Sequence, residues 1–187
     1  MIFASNNQGK INEIKKIFKN QKILSLKDVN IEIDILENGN SYYENALIKA
    51  KKIYELTGIP TIADDSGLEI LGLKRWPGIN THRISEDDNE RNMIFLNKTK
   101  DLEDKRIETV CTLVYVDKSN IIDATGKLKG TITDKIYEGN GFGFDKIFRL
   151  ENGKVVSNLT NDEKNKISAR SQAAKILLKK LEKMKLD

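Results

Sequence analysis

The sequence has very few of the residues that build cross-links and metal sites based on thiolate or imidazole. Its 187 residues include one cysteine, Cys111, and one histidine, His82. A single cysteine excludes an internal disulfide and a cysteine-rich zinc site, and its apolar surroundings, TVCTLVYV, predict a buried, inert thiol. A single histidine argues against a three-histidine metal site.

Long apolar runs and an excess of one charge are also absent. No apolar run approaches the roughly 20 residues of a membrane helix, and no basic segment precedes an apolar core at the start, so we expect neither a membrane span nor a signal peptide. The net charge is +4, from 32 basic and 28 acidic residues. This even balance does not indicate nucleic-acid binding by itself. We therefore predict a cytoplasmic protein that binds neither nucleic acid nor membrane.

What is present is an alternation of predicted strands and helices along one domain, residues 1–187. Apolar spacing predicts helices over 9–19, 41–57 and 86–99 and at the C-terminus. Strands are predicted over 1–4, 22–26 and 30–36 and in FDKIFRL. Further strands are predicted on both sides of a tight polar turn in PTIADDSGLEIL, and in a hairpin within 105–137 that turns near 118–120. This alternation predicts an α/β fold with a central mixed sheet and flanking helices.

The segment SNNQGK, Ser5 to Lys10, connects the first predicted strand to the first predicted helix. A helix N-terminus offers free backbone N–H groups and a partial positive charge, and Lys10 adds a full charge. The segment therefore predicts an anion site, although it is not a Walker A loop. The alternative is a capped helix start with a solvated lysine. Arg83, after WPGINTH, is a second candidate phosphate contact.

Two acidic segments could carry chemistry. Asp64 and Asp65 follow an apolar strand in IADDSGL. Adjacent carboxylates repel, so a divalent cation such as Mg²⁺ would stabilise them, and one of them could also act as a base on water. The alternative is an ordinary polar turn. Glu37, Glu44 and Lys49 form the second group, for which a surface helix with scattered charges is the alternative.

Two segments further along the chain combine residues that suit a nucleotide. In GNGFGFDKIF, the glycines admit a ligand close to the backbone, Phe142 and Phe144 offer flat faces for a base, and Asp145 offers an acceptor. In LTNDEKNKISARSQA, Lys164 and Arg170 lie near a predicted helix start, where cations are mildly unfavourable and an anionic partner would compensate. The alternatives are core aromatics in a glycine-rich loop and solvated cations.

Together these segments resemble the inosine triphosphate pyrophosphatases, also called the Ham1 family. The resemblance spans nearly the whole chain, and the motifs stand in the family's order. The matching segments are S-N-N-Q-G-K at 5–10, E-N-G at 37–39 with Y-E-N-A-L-I-K-A at 43–50, A-D-D-S-G-L at 63–68, P-G-I at 77–79 with Arg83, G-F-G-F-D-K-I-F at 141–148 and L-T-N-D-E-K-N-K-I-S-A-R at 159–170.

The resemblance implies an elongated, two-lobed α/β domain with a cleft between the lobes, and a homodimer. It also implies Mg²⁺-dependent hydrolysis of deaminated purine nucleoside triphosphates, namely ITP, dITP and XTP, to the monophosphate and pyrophosphate. Such an activity keeps deaminated purines out of DNA and RNA. The alternatives are a Maf-like pyrophosphatase acting on modified pyrimidine nucleotides and a nucleic-acid-binding protein that uses its lysine-rich helices.

The resemblance also implies roles for individual residues. Asp65 would be the catalytic base, with Lys49 beside it, and Glu37 and Asp65 would hold Mg²⁺ with support from Asp64 and Glu44. The segment 142–145, Lys164 and Arg170 would surround the base. The implied substrate-binding positions are Ser5, Asn6, Asn7, Gln8, Gly9, Lys10, Ser66, Arg83, Phe142, Gly143, Phe144, Asp145, Lys164, Ala169 and Arg170.

Three positions in two of these segments depart from the family pattern. Ala169 stands where the family has histidine, Phe144 where it has tyrosine, and Lys146 where it has proline. These changes leave the acidic residues and the lysines in place, so they bear on base selectivity and not on hydrolysis itself.

Overall fold

The structure is a computed structural model that describes residues 1–184, so the last three residues of the predicted domain lie outside it. No helix within residues 1–184 is both long and apolar enough to cross a membrane. The helices are α1 (Gln8–Ile17), α2 (Tyr42–Thr57), α3 (Asp88–Thr99), α4 (Asn161–Ile167) and α5 (Ala169–Met184). The strands are β1 (Ile2–Phe3), β2 (Leu24–Ser25), β3 (Thr61–Ile70), β4 (Trp76–Pro77), β5 (Arg106–Val116), β6 (Ile121–Ile132) and β7 (Phe148–Arg149).

The strands form one mixed sheet in the order β2-β1-β3-β5-β6-β7, with β4 also paired to β3. Strand β1 runs parallel to β2 and β3, whereas the β3–β4 and β6–β7 pairs are antiparallel. The long hairpin β5–β6 turns at residues 117–120, where the Asp117 N–H donates to the Asn120 carbonyl. The predicted α/β class and the predicted hairpin are therefore confirmed.

The chain divides into two compact units. Unit 1 contains the described residues in 1–66, 111–126 and from 169 onward, and unit 2 contains residues 67–110 and 127–168. Unit 1 has two apolar clusters, one with α1 and α5 around Phe3 and Leu113, the other with α2 around Ile2 and Val114. Because successive strand residues point to opposite sides, helices cover both faces of the sheet in unit 1. Unit 2 has its own core around Leu68, Phe95 and Phe148.

The helix starts follow local capping chemistry. The Asn7 Oδ1 accepts from the Lys10 N–H at the start of α1, and the Ser41 Oγ accepts from the Glu44 N–H at the start of α2. Thr160 and Glu163 form a reciprocal capping box at the start of α4. These side chains satisfy N–H groups that a helix leaves without partners.

Three predicted elements are wrong. Residues 30–36 form no strand: Ile31, Ile33 and Ile35 pack against the α2 side of unit 1, which produces the alternating pattern without a strand partner. The expected polar turn within 61–70 is absent because β3 is continuous there. Most of FDKIFRL is a 3₁₀ helix, Gly143–Ile147, and only Phe148–Arg149 is a strand.

Candidate active site

Strand β3 carries the acidic pair in the buried interior of unit 1. Asp64, Asp65 and Ser66 are 1 %, 5 % and 6 % exposed. Because side chains alternate along a strand, Asp64 and Ser66 lie on the α1–α5 side and Asp65 on the α2 side. The two adjacent carboxylates therefore have different partners.

Asp64 lies in a cluster of buried charges that joins β3 to α1 and α5. The Lys10 Nζ lies 3.1 Å from the Asp64 Oδ2, and the Arg170 Nε and Nη2 donate to the same oxygen at 3.2 and 3.1 Å. Arg170 also donates from Nη1 to the Glu13 Oε2 at 3.0 Å and from Nη2 to the Ser66 Oγ at 3.2 Å. All three guanidinium nitrogens are thus engaged.

These contacts keep Asp64 ionised. Burial acts to raise the pKa of Asp64, but the charges of Lys10, Arg170 and Lys49 outweigh it and hold that pKa well below its usual range. Burial likewise acts to lower the pKa of Arg170, and Asp64 and Glu13 are among the groups that hold it above its usual value. A carboxylate with so low a pKa is a poor proton acceptor, so Asp64 is suited to holding cations and not to general-base chemistry.

Asp65 has neutral hydrogen-bond donors in place of a guanidinium. The Asn45 Nδ2 donates to its Oδ2 at 3.0 Å, and the Ser66 N–H donates to its Oδ1 at 2.8 Å. The Asn45 Oδ1 in turn accepts from the Gly39 N–H at 2.8 Å, which connects the turn after Glu37 to the acidic pair. Asn45 therefore orients both the carboxylate and this turn.

The surroundings of Asp65 raise the pKa of its carboxyl group towards neutral pH. Burial is the largest influence and raises the pKa of Asp65 to about 6, against the opposing effects of the Lys49 charge and the Asn45 hydrogen bond. The negative charges of Glu37 and Asp64 add to the rise. A carboxylate with such a pKa is a much better proton acceptor than an ordinary aspartate, and it is still ionised at pH 7.

The predicted metal ligands are distributed unevenly. The Lys49 Nζ lies 3.0 Å from the Glu37 Oε1, and both residues act electrostatically on Asp65. The Glu44 Oε2 accepts from the Asn40 N–H at 2.6 Å, next to the start of α2. Within residues 1–184 no three acidic, histidine or cysteine side chains are grouped to hold a metal ion. The four-ligand set thus stays a prediction, with Glu37 and Asp65 as its better-placed members.

Glu37 and Asp65 fit a magnesium ion that is shared with a substrate. Mg²⁺ usually binds one or two carboxylates and completes its octahedron with water and phosphate oxygens. The pKa of Asp65, raised by burial and by neighbouring carboxylates, indicates a site where an added positive charge would be stabilising.

The predicted anion turn at residues 5–10 is partly engaged by its own backbone. Asn7 caps α1, and the Ser5 Oγ accepts from the Asn7 N–H at 3.1 Å. The Gln8 Nε2 donates to the Asn12 Oδ1 at 2.8 Å. Lys10 instead reaches Asp64, so it is the member of this turn that belongs to the buried charge cluster.

Unit 2 brings together the predicted base-binding residues. The Lys164 Nζ donates to the Asp145 Oδ2 at 2.5 Å and lies 3.8 Å from the centre of the Phe142 ring. The same Asp145 oxygen accepts from the Phe142 N–H at 3.0 Å. Gly143 and the half-buried Phe144 follow in the 3₁₀ helix. Arg83, also in unit 2, is exposed and donates to the Asn80 Oδ1 at 2.9 Å.

Arg170 belongs to unit 1, where it contacts Asp64, Ser66 and Glu13. The cause of these contacts is electrostatic: the guanidinium on the first turn of α5 meets two buried carboxylates that need a counter-charge. Its predicted role beside the base, with Lys164, stays a prediction.

Sequence reasoning missed Glu13 and Asn45, both buried. A signal for each was present. Glu13 stands three positions after Lys10 and Asn45 four positions before Lys49, so each shares a helix face with a predicted site lysine.

Comparisons with known proteins show the family of this chain. A model of the Ham1 family matches residues 1–180. The chain belongs to the Ham1 family. It is 35 % identical to the dITP/XTP pyrophosphatase of Staphylococcus epidermidis, over 97 % of this chain and 96 % of that protein. It is 36 % identical to the dITP/XTP pyrophosphatase of Borrelia duttonii, over 92 % of each.

Solved structures of Ham1 proteins share the fold. The Ham1 protein of Staphylococcus aureus matches with a TM-score of 0.88 and 33 % identity, over 98 % of both chains. A HAM1 protein from Coxiella burnetii matches with the same TM-score and 30 % identity, over 97 % of this chain and 98 % of that one.

Two departures from the Ham1 sequence pattern have defined surroundings. Ala169 is buried at the start of α5, directly before Arg170. Lys146 pairs with Glu138, with 3.2 Å between the Lys146 Nζ and the Glu138 Oε2.

Proposed function

We propose that this protein hydrolyses deaminated purine nucleoside triphosphates, namely dITP, ITP and XTP, to the monophosphate and pyrophosphate in a Mg²⁺-dependent reaction. The observation that carries the proposal is Asp65, a buried carboxylate with a pKa of about 6, surrounded by charged residues of unit 1. The names of the relatives, dITP/XTP pyrophosphatases, support the substrate class.

The charge balance of this group supports a metal-bound triphosphate. The clustered cations are Lys10, Lys49 and Arg170, and the clustered carboxylates are Glu13, Glu37, Asp64 and Asp65. With every group ionised, negative charge exceeds positive charge by one. A polyphosphate anion would therefore meet repulsion unless it arrived with a divalent cation.

In the proposed mechanism Asp65 is the general base. Its carboxylate accepts a proton from a water molecule, whose oxygen attacks the α-phosphorus. The bond from the α-phosphorus to the oxygen that bridges to the β-phosphate breaks, and pyrophosphate leaves with the electron pair. Asn45 and the Ser66 N–H hold the carboxylate during this proton transfer. Mg²⁺, held by Glu37 and Asp65, would neutralise charge on the phosphates.

The cations have separate proposed roles. Lys10 and Lys49 have side chains that are 14 % and 15 % exposed, so they retain access to an anion while paired with carboxylates. On phosphate binding they would exchange part of their contact with Asp64 and Glu37 for contact with phosphate oxygens. Arg170 would keep Asp64 ionised and in place.

In unit 2 we propose that Phe142, Asp145 and Lys164 recognise the purine base. The Phe142 ring offers a stacking face, and Lys164 is a donor that suits the 6-oxo group of hypoxanthine or xanthine. Adenine presents an amino donor at that position, which would face the ammonium donor of Lys164, so it would be disfavoured.

The test is pyrophosphate release from dITP, XTP, dATP, dGTP, dCTP and dTTP, with Mg²⁺ and with EDTA. We expect pyrophosphate release from dITP and XTP when Mg²⁺ is present, and none when EDTA replaces it. Asp65→Asn should lower kcat by about a thousandfold, in the middle of the range for a lost general base. The matched control is Asp34→Asn, an exposed aspartate of unit 1, which should keep full activity. Release from none of the six nucleotides, or near-normal turnover by Asp65→Asn, would refute this function or this base.

A further inference from the structure

Helix α3 holds the backbone of Gly143 from two sides. The Gly143 N–H donates to the Asp88 Oδ2 at 2.7 Å, and the Gly143 carbonyl accepts from the Asn92 Nδ2 at 2.9 Å. Asp88 and Asn92 are four positions apart, so they lie on the same helix face. Helix α3 thus binds both the backbone N–H and the backbone carbonyl of Gly143.

Gly143 is the position where the base-binding segment changes direction. Its φ is +61°, in the left-handed region that favours glycine. It directly follows Phe142 and lies two positions before Asp145, whose Oδ2 contacts both the Phe142 N–H and Lys164. The orientation of Gly143 therefore determines the orientation of the Phe142 ring and of the Asp145 carboxylate.

On the α3 side of this contact Asn92 is buried, and the half-exposed Asp88 is bound by a buried arginine. Asn92 and Arg91 are 0 % and 2 % exposed. Arg91 donates from Nη1 to the Ser85 carbonyl at 2.6 Å and from Nη2 to the Asp88 Oδ1, so Asp88 is held while it accepts from Gly143. Because Arg91 holds the Asp88 carboxylate in place, that carboxylate fixes the position of the Gly143 N–H that it binds.

We propose that Asp88 and Asn92 are specificity-determining positioning residues. They set the orientation of segment 142–145 and through it the discrimination between hypoxanthine and the normal purines. This inference rests on the proposed function, because it assigns α3 a part in base selection.

The experiment compares Asn92→Ala and Asn92→Leu with the wild type. Both remove the amide donor, and neither adds a charge to this buried position. Asn97→Ala is the matched control, since Asn97 is an exposed asparagine on the same helix. The readouts are kcat and KM for dITP, dGTP and dATP, hydrogen exchange of a peptide covering residues 141–147, and thermal stability.

We expect both Asn92 variants to raise KM for dITP about fivefold to tenfold, the equivalent of one lost hydrogen bond, with kcat within about twofold of the wild type. The preference for dITP over dGTP and dATP should fall by a similar factor. Exchange in residues 141–147 should accelerate in both variants and stay unchanged in Asn97→Ala.

Two results would overturn the inference. One is unchanged discrimination in both Asn92 variants. The other is an equal loss on all nucleotides together with lowered thermal stability, which would mark Asn92 as a residue of the core only. If the wild type hydrolyses none of the nucleotides, the proposed function fails by itself. The exchange data would then test only the contact between α3 and Gly143. Faster exchange in residues 141–147 of the Asn92 variants would support this contact, and unchanged exchange would contradict it.

Discussion

At the scale of single residues, Asp64 and Asp65 have the same side chain but opposite acid–base behaviour. Asp64 meets Lys10 and Arg170 on one side of β3, and its pKa is held low. Asp65 meets Asn45 on the other side, and burial raises its pKa to about 6. The difference arises from the alternation of side chains along a strand, which gives neighbouring residues separate electrostatic environments.

The raised pKa of Asp65 has a consequence for stability. The folded protein holds this proton more tightly than the unfolded chain does, so folding loses stability as pH rises from about 4 to about 6. A difference of roughly two pKa units corresponds to about 3 kcal/mol. Asp65→Asn removes this penalty but loses one accepted hydrogen bond, at a cost of about 1 kcal/mol.

We therefore expect Asp65→Asn to increase the free energy of unfolding by about 2 kcal/mol at pH 8 and to decrease it by about 1 kcal/mol at pH 4. Urea denaturation in EDTA at the two pH values measures this. Asp34→Asn should show no such reversal. A variant that is less stable than the wild type at both pH values would show that Asp65 carries no raised pKa.

At the scale of elements, β6 and α5 pack closely enough to exclude a side chain. A Cβ built on Gly126 of β6 would lie 2.2 Å from the Ala169 carbonyl oxygen and 2.7 Å from the Ala173 backbone nitrogen. Both atoms belong to the backbone at the start of α5, so neither can move without shifting the helix. This close contact fixes the start of α5, and with it the position of Arg170, the second residue of that helix.

Gly126→Ala should accordingly destabilise the protein by about 2–3 kcal/mol, the range for overpacked sites, and should also lower kcat/KM because α5 carries Arg170. Chemical denaturation and steady-state kinetics measure the two effects. Thr131→Ala, at an exposed position of the same strand, is the control and should change neither by much. Unaltered stability of Gly126→Ala would contradict the tight packing.

The elements also differ in how well the sequence predicted them. Helices α1, α2 and α3 carry apolar residues at helical spacing, which a local pattern contains, so the sequence predicted them. Segment 30–36 was misread because one-sided burial of Ile31, Ile33 and Ile35 produces the alternation of a strand without a strand partner. Pairing is a property of distant residues, which a local pattern does not contain.

At the scale of the whole molecule, the homodimer and the cytoplasmic location stay predictions. Unit 1 exposes several large apolar side chains, among them Leu36, which is 78 % exposed, Tyr43 and Leu56. Exposed apolar groups of this kind are often covered in assemblies. We expect sedimentation equilibrium at a protein concentration of about 10 µM to give twice the chain mass of 21.3 kDa. A mass of one chain up to about 100 µM, some tenfold higher, would contradict this.

The helices, the long hairpin, the α/β class and the resemblance to the Ham1 family follow from the order of the amino acids, because periodicity and motifs reside in neighbouring residues. The same order identifies most of the charged residues of the candidate site. Their pairing, by contrast, is a property of the folded chain. Arg170 meets Glu13, 157 positions away, and Asp64, 106 positions away. Such partners come together through strand order and helix packing, and burial then makes their pairing obligatory.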